Sequence, residues 1–202
     1  VYFFVYFHRV STSVIAPDLL RAFDANAATL GLMSSTYFYT YGLQQPLVGF
    51  FADRLGPRRV IAYWSVAAAA GCLLFGMAPS MLWAGIGRFL IGFGVGGVYV
   101  PAMKAFAEWF EAREFAMLTG LLMSVGNLGG IVAATPLAWM ALHVGWRTTF
   151  FIIGGITLLL ALTSLLWLGE SQSDDAGEKA AGNGGDAAAG NGGDAAATAG
   201  RE

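Results

Sequence analysis

Residues 49–60, GFFADRLGPRRV, are the stretch on which the reading of the whole chain turns. An aspartate, three arginines, two glycines and a proline are concentrated there between two long apolar runs. Glycine and proline let a backbone reverse within a few residues. Arginines at such a turn hold it against the anionic surface of a bilayer. Asp53 can serve the orphan amides of a helix N-terminus or pair with a guanidinium. Composition alone leaves two readings open: a basic turn that only anchors the chain, or a charged device with a partner of its own.

Outside that turn the chain is poor in charge. It is 56% hydrophobic and 12% charged, with a mean hydropathy of +0.61, whereas soluble domains carry about 25% charged residues. Lipid is therefore the expected solvent. Residues 1–169 carry a net charge of +3 and residues 170–202 one of −5, which leaves −2 overall. A basic-leaning apolar body with an acidic tail argues against nucleic acid as a partner. The single cysteine, Cys72, sits in an apolar run, so no disulfide framework is expected.

A helix that crosses a bilayer needs about 20 mostly apolar residues. Six such runs are present, at about residues 1–20, 27–52, 60–78, 81–103, 115–142 and 147–168. The expected fold is an all-α membrane protein, with a six-helix transmembrane bundle over residues 1–169. The breaks are short, which makes consecutive helices antiparallel neighbours. Lysine and arginine in short loops mark the cytoplasmic side. The second and fourth connections carry Arg54, Arg58, Arg59 and Arg113, with Lys104 at a span's edge, against only Arg21 and Arg147 in the other three. Even-numbered connections and both chain ends are expected in the cytoplasm. From residue 170 the composition changes, and AGNGGDAA at 181–188 recurs at 189–196. Such a segment cannot offset its ordering entropy and is expected to be a disordered acidic linker.

The spacing of Gly49, Asp53, Arg54, Gly56, Arg58 and Arg59 resembles the signature loop between the second and third helices of the major facilitator superfamily. Pro57 occupies a position that is often basic in that family. GRFLIGFGVGG (87–97) resembles its fourth helix, and GNLGGIVAATPL (126–137) and GWRTTFFIIGG (145–155) its fifth helix and the start of its sixth. The resemblance implies a secondary transporter in a bacterial inner membrane, built from two six-helix halves with a midplane substrate site. This chain would be the N-terminal half. It would work with a C-terminal six-helix half not in this sequence, or as a homodimer. In the family the loop's aspartate latches onto the second half, so Asp53 is expected to find no partner here. A non-transporting sensor on the same fold is the alternative.

Charges inside a span are costly and usually face a cavity or a partner. Arg9 lies eight residues before Pro17, and Tyr2, Tyr6 and Arg9 share one helical face. A guanidinium fork with phenolic donors suits a carboxylate or phosphate; a structural bond to a carbonyl is the competing reading. The first span also resembles that of organophosphate:phosphate antiporters and organic-anion members of the superfamily, which implies an organic-anion solute bound by Tyr2, Tyr6 and Arg9. The antiporters' fifth-helix histidine would fall at Gly126. His8 points about 100° away from Arg9, as a packing group or a proton carrier. Arg88 is a structural bond or a coupling and gating residue. Tyr99, Asn127, Gln44 and Gln45 are candidates to line the cavity, against generic packing. Lys104 and Glu108 stand at i,i+4 as an ion pair. Gly92, Gly94, Gly96 and Gly97 allow close helix approach. No catalytic array, metal spacing or cofactor motif is present, so neither an enzyme nor a cofactor is expected.

Overall fold

The computed structural model describes residues 1–166, and every described element is an α-helix. The tail expected to be disordered lies outside these residues. In chain order the helices are α1 (Tyr2–Val14), α2 (Ala16–Phe23), α3 (Ala27–Leu43), α4 (Gln45–Leu55), α5 (Pro57–Met77), α6 (Met81–Gly96), α7 (Tyr99–Trp109) and α8 (Ala112–Val144). The last is α9 (Trp146–Leu166). Among the described residues, four stretches are long and apolar enough to cross a membrane: α5, α6 continuing into α7, α8 and α9.

The apolar runs at 1–20 and 27–52 do not form single helices. Each breaks ahead of a proline, at Ile15 before Pro17 and at Gln44 before Pro46. Proline lacks the amide a helix interior needs and disfavours helical geometry in the residue before it. α6 and α7 part at Gly97 and Val98, ahead of Pro101. The helix passes the expected end of the run at 52: Gly49 lies inside α4, which continues to Leu55. The turn is made by Gly56 alone, at φ +83°, a conformation costly for any residue with a Cβ. Pro57 then opens α5, where its missing amide costs nothing. The expected polar connection at 108–114 is likewise mostly helical, and Glu111 and Glu114 form a capping box on α8.

Glycine governs how closely the helices meet. A Cβ at Gly71 of α5 would stand 2.6 Å from the Ile91 amide nitrogen of α6, and one at Gly87 of α6 would stand 2.8 Å from that of Phe75. One at Gly92 would stand 2.6 Å from the Tyr37 carbonyl of α3. Without a hydrophobic force between helices in lipid, such close backbone approach supplies much of the packing. An aromatic core of Phe75, Trp146 and Phe150 fills the space these seams enclose.

Gln44 is a buried strut at the edge of an apolar cavity between α3 and α6. Its amide nitrogen donates to the carbonyls of Gly92 (3.0 Å) and Phe93 (2.7 Å), and its oxygen accepts from the Trp64 indole at 2.9 Å. The break in α3–α4 is thereby tied to α6 just above its own break, and neither leaves these carbonyls unpaired. Arg147 does the same for the end of α5, donating to the Gly76 carbonyl at 3.0 Å and the Ala78 carbonyl at 2.7 Å.

Candidate functional site

Tyr2, Tyr6 and Arg9 come from one face of α1, and α3 faces them with Tyr37, Phe38 and Tyr41. Together with Val5 these side chains line a cavity of about 130 Å³. The Arg9 guanidinium lies 5.9 Å from the ring centres of both Tyr6 and Phe38. No hydrogen bond or ion pair holds it among the described residues, and it is exposed toward the open side of the cavity. Among the described residues it is the only charged side chain lining the cavity.

The phenols divide into two kinds. Tyr37 donates to the Val5 carbonyl at 3.0 Å, so its hydroxyl is spent on fastening α3 to α1. Tyr2 and Tyr6 reach the Met123 sulfur of α8, at 3.6 and 3.9 Å, and each other. A thioether is a weak acceptor, so the pair keeps donor capacity for a ligand. Tyr99 packs on Tyr2 with ring centres 5.9 Å apart. Asn127 does not join this group: it is exposed on α8, one residue past the glycine that meets the tyrosines. Tyr37 and Tyr41 were missed from the sequence. Their signal was the run TYFYTYG (36–42), whose tyrosines at 37 and 41 share a helical face.

His8 and Arg88 lie behind α1, away from this cavity. Arg88 is completely buried and donates to the His8 carbonyl and to the Ser11 hydroxyl, each at 3.0 Å. Its guanidinium also sits over Phe75 at 4.8 Å and Phe150 at 5.5 Å. His8 is buried with Nε2 3.4 Å from the Cys72 sulfur. His8 Nδ1 and Arg88 Nε have no hydrogen-bond partner among the described residues. The arrangement is a brace between α1 and α6.

At the arginine-rich end, Asp53 has a partner after all. Its carboxylate pairs with Lys104 of α7, which also reaches Glu108 at 3.6 Å and the Ala52 carbonyl at 3.4 Å. The expectation that nothing in this chain would hold Asp53 is therefore corrected. Arg54 lies over Phe50 at 4.2 Å and Arg58 over Trp109 at 4.5 Å, while Arg59 is half-buried. A larger cavity of about 520 Å³ opens between α3 and α6, lined by Leu32, Met33, Leu82 and Phe89 among others. No charged side chain lines it among the described residues. Among the described residues no cluster of three or more potential metal ligands occurs.

Fold and site together define an all-α membrane protein with one cation presented to a phenol-lined cavity. Residues 1–196 match the model of the Major Facilitator Superfamily, and the chain belongs to that family. It is 32% identical over 158 residues to a probable sulfoacetate transporter of Cupriavidus necator, an alignment covering 78% of this chain and 37% of that protein. A hexuronate transporter of Escherichia coli is 24% identical over 162 residues, 80% of this chain and 38% of the relative. A membrane sensor protein of Salmonella typhimurium is 26% identical over 171 residues, 82% of this chain and 37% of the relative. The chain thus spans little more than a third of the length of these relatives.

Proposed function

We propose that the protein carries a small organic anion across a membrane by alternating access, with Arg9 as the anion's principal ligand and Tyr2 and Tyr6 as hydroxyl donors. The observation that carries this reading is the Arg9 guanidinium, which faces the cavity with no hydrogen-bond or ion-pair partner among the described residues. A charge at the centre of a membrane span costs about 2.5–3.5 kcal/mol on insertion scales and is retained where it acts. The anion would be a carboxylate, sulfonate or phosphate ester, in keeping with the solutes named for the relatives. In this reading the helices make six crossings, both ends of the described body face the cytoplasm, and a second six-helix half completes the cavity. A proton gradient or a counter-transported anion drives the cycle.

The test uses the protein encoded by the complete reading frame, reconstituted in liposomes, with sulfoacetate and glucuronate as probes. Arg9→Gln is expected to weaken binding of whichever probe the unaltered protein accepts by about 1.5–3 kcal/mol, the worth of a charged hydrogen bond. Unchanged affinity would overturn the assignment. A sensor is the second reading, favoured by the relative so named; it binds the probe and shows no flux.

Asp53 and its loop (Gly49, Arg54, Gly56, Arg58, Arg59) act in this scheme as the latch of one state, with Lys104 holding the carboxylate when the second half does not. Asp53→Asn is expected to shift the balance between the two facing states. The melting temperature should not move, because Lys104 keeps Glu108 and the Ala52 carbonyl. Cysteines introduced on either face, read with an impermeant thiol reagent, check this; unaltered labelling on both faces counts against it.

A further inference from the structure

We propose that Gly126 is a specificity-determining residue: the bare face it gives α8 seats the rings of Tyr2 and Tyr6 and so sets how large an anion fits beside Arg9. The inference rests on the anion-binding reading above. A Cβ built at Gly126 would lie 2.8 Å from Tyr2 Cε1, and 2.9 and 3.0 Å from Tyr6 Cδ2 and Cε2. Its three nearest neighbours are therefore all ring atoms of the two tyrosines that line the cavity. Gly129, one turn further along the same face of α8, is different in kind: a Cβ there would run into the carbonyl of Phe3. One glycine lets two backbones meet, and the other makes room for two side chains.

Carbon atoms sit comfortably at about 3.5–4.0 Å, so a methyl group at 126 must displace both rings. Their escape is one-sided. Tyr2 is backed by Tyr99, with ring centres 5.9 Å apart, and stands edge-on to Tyr6 at 5.7 Å. The backbone of α1 is fixed by Arg88 at His8 and by Tyr37 at Val5, so the helix cannot retreat as a whole. The rings yield into the cavity of about 130 Å³, toward Arg9. Rings pushed that way take up solute space beside Arg9, and bulky solutes lose it first. The residue at 126 therefore tunes solute size through Tyr2 and Tyr6 without touching the anionic group.

The experiment measures affinity for sulfoacetate and glucuronate in the reconstituted full-length protein, together with its melting temperature. Gly126→Ala is expected to weaken glucuronate at least tenfold relative to sulfoacetate, with melting within a few degrees of the unaltered protein. In a Tyr2→Ala, Tyr6→Ala background the same substitution should change that ratio less than twofold. Gly129→Ala is expected to lower the melting temperature and leave the ratio alone. An unchanged ratio for Gly126→Ala, or its failure to fold, overturns the proposal, since the rings would then be fixed packing. If the unaltered protein binds neither probe, or Arg9→Gln binds as well as it does, the anion-binding reading falls and takes this inference with it.

Discussion

Gly94→Ala is expected to cost about 3 kcal/mol or more and to remove most of the folded protein from the membrane. A Cβ at Gly94 would overlap the backbone nitrogen and Cα of Ala68 on α5. Adding a methylene to a packed interior typically costs about 1–3 kcal/mol, because neighbouring side chains can turn aside. Here the neighbour is main chain. The seam offers no relief on either side: Gly71 meets Ile91 and Gly87 meets Phe75 at 2.6 and 2.8 Å, in the same antiparallel register. Relieving one contact means parting α5 from α6 along its length. Gly85→Ala, on the same helix, is the matched control. Its Cβ would find only the Met33 side chain, at 3.8 Å, so it should gain up to about 0.8–1 kcal/mol of helix propensity. Tryptophan-fluorescence melting and the monodisperse fraction in detergent read both variants. Equal melting of Gly94→Ala and the unaltered protein would show that the seam is looser than described.

The glycines of GRFLIGFGVGG could be recognised as contact points because glycine is the one residue whose presence in an apolar helix weakens it unless a backbone comes close. What could not be read was which backbone. That Gly92 meets α3 while Gly94 meets α5 follows from tertiary placement, which spacing within one helix does not encode. The three helix breaks were missed for a related reason. A hydropathy window sums composition and is blind to geometry, although Pro17, Pro46 and Pro101 stood one to three residues beyond the breaks. In the loop 49–60, Gly56 and Pro57 turn the chain while Gly49 stays helical; composition marks a turn in the stretch but not which of its two glycines makes it. Asp53 was left without a partner because the family resemblance puts its partner in a second half, and a contact across 51 residues has no local signature. At the candidate site the α1 face was legible from its spacing. The opposing wall was not, because Tyr37 and Tyr41 sit in a run, 36–42, where four of the seven residues are aromatic.

Arg88 should separate architecture from transport. Truncation by Arg88→Ala is expected to cost about 3–5 kcal/mol. It empties the space over the rings of Phe75 and Phe150, and large-to-small changes in cores cost about 2–5 kcal/mol. It also removes the link from α6 to the His8 carbonyl and Ser11 hydroxyl. Arg88→Met refills most of that volume. It gives up two charge-assisted hydrogen bonds but also the desolvation of a guanidinium that has no carboxylate beside it among the described residues, terms that often come near to cancelling. The expected loss for methionine is therefore at most about 2 kcal/mol. Arg88→Lys keeps the buried charge yet cannot span both acceptors with a single ammonium, so it should melt below the methionine variant. That order, methionine above lysine above alanine, is what a buried brace demands, and lysine melting above methionine would refute it. The methionine variant then carries the functional question on a folded protein. Full flux with methionine assigns Arg88 wholly to holding α1 against α6; flux lost with the fold intact assigns it to coupling or gating as well.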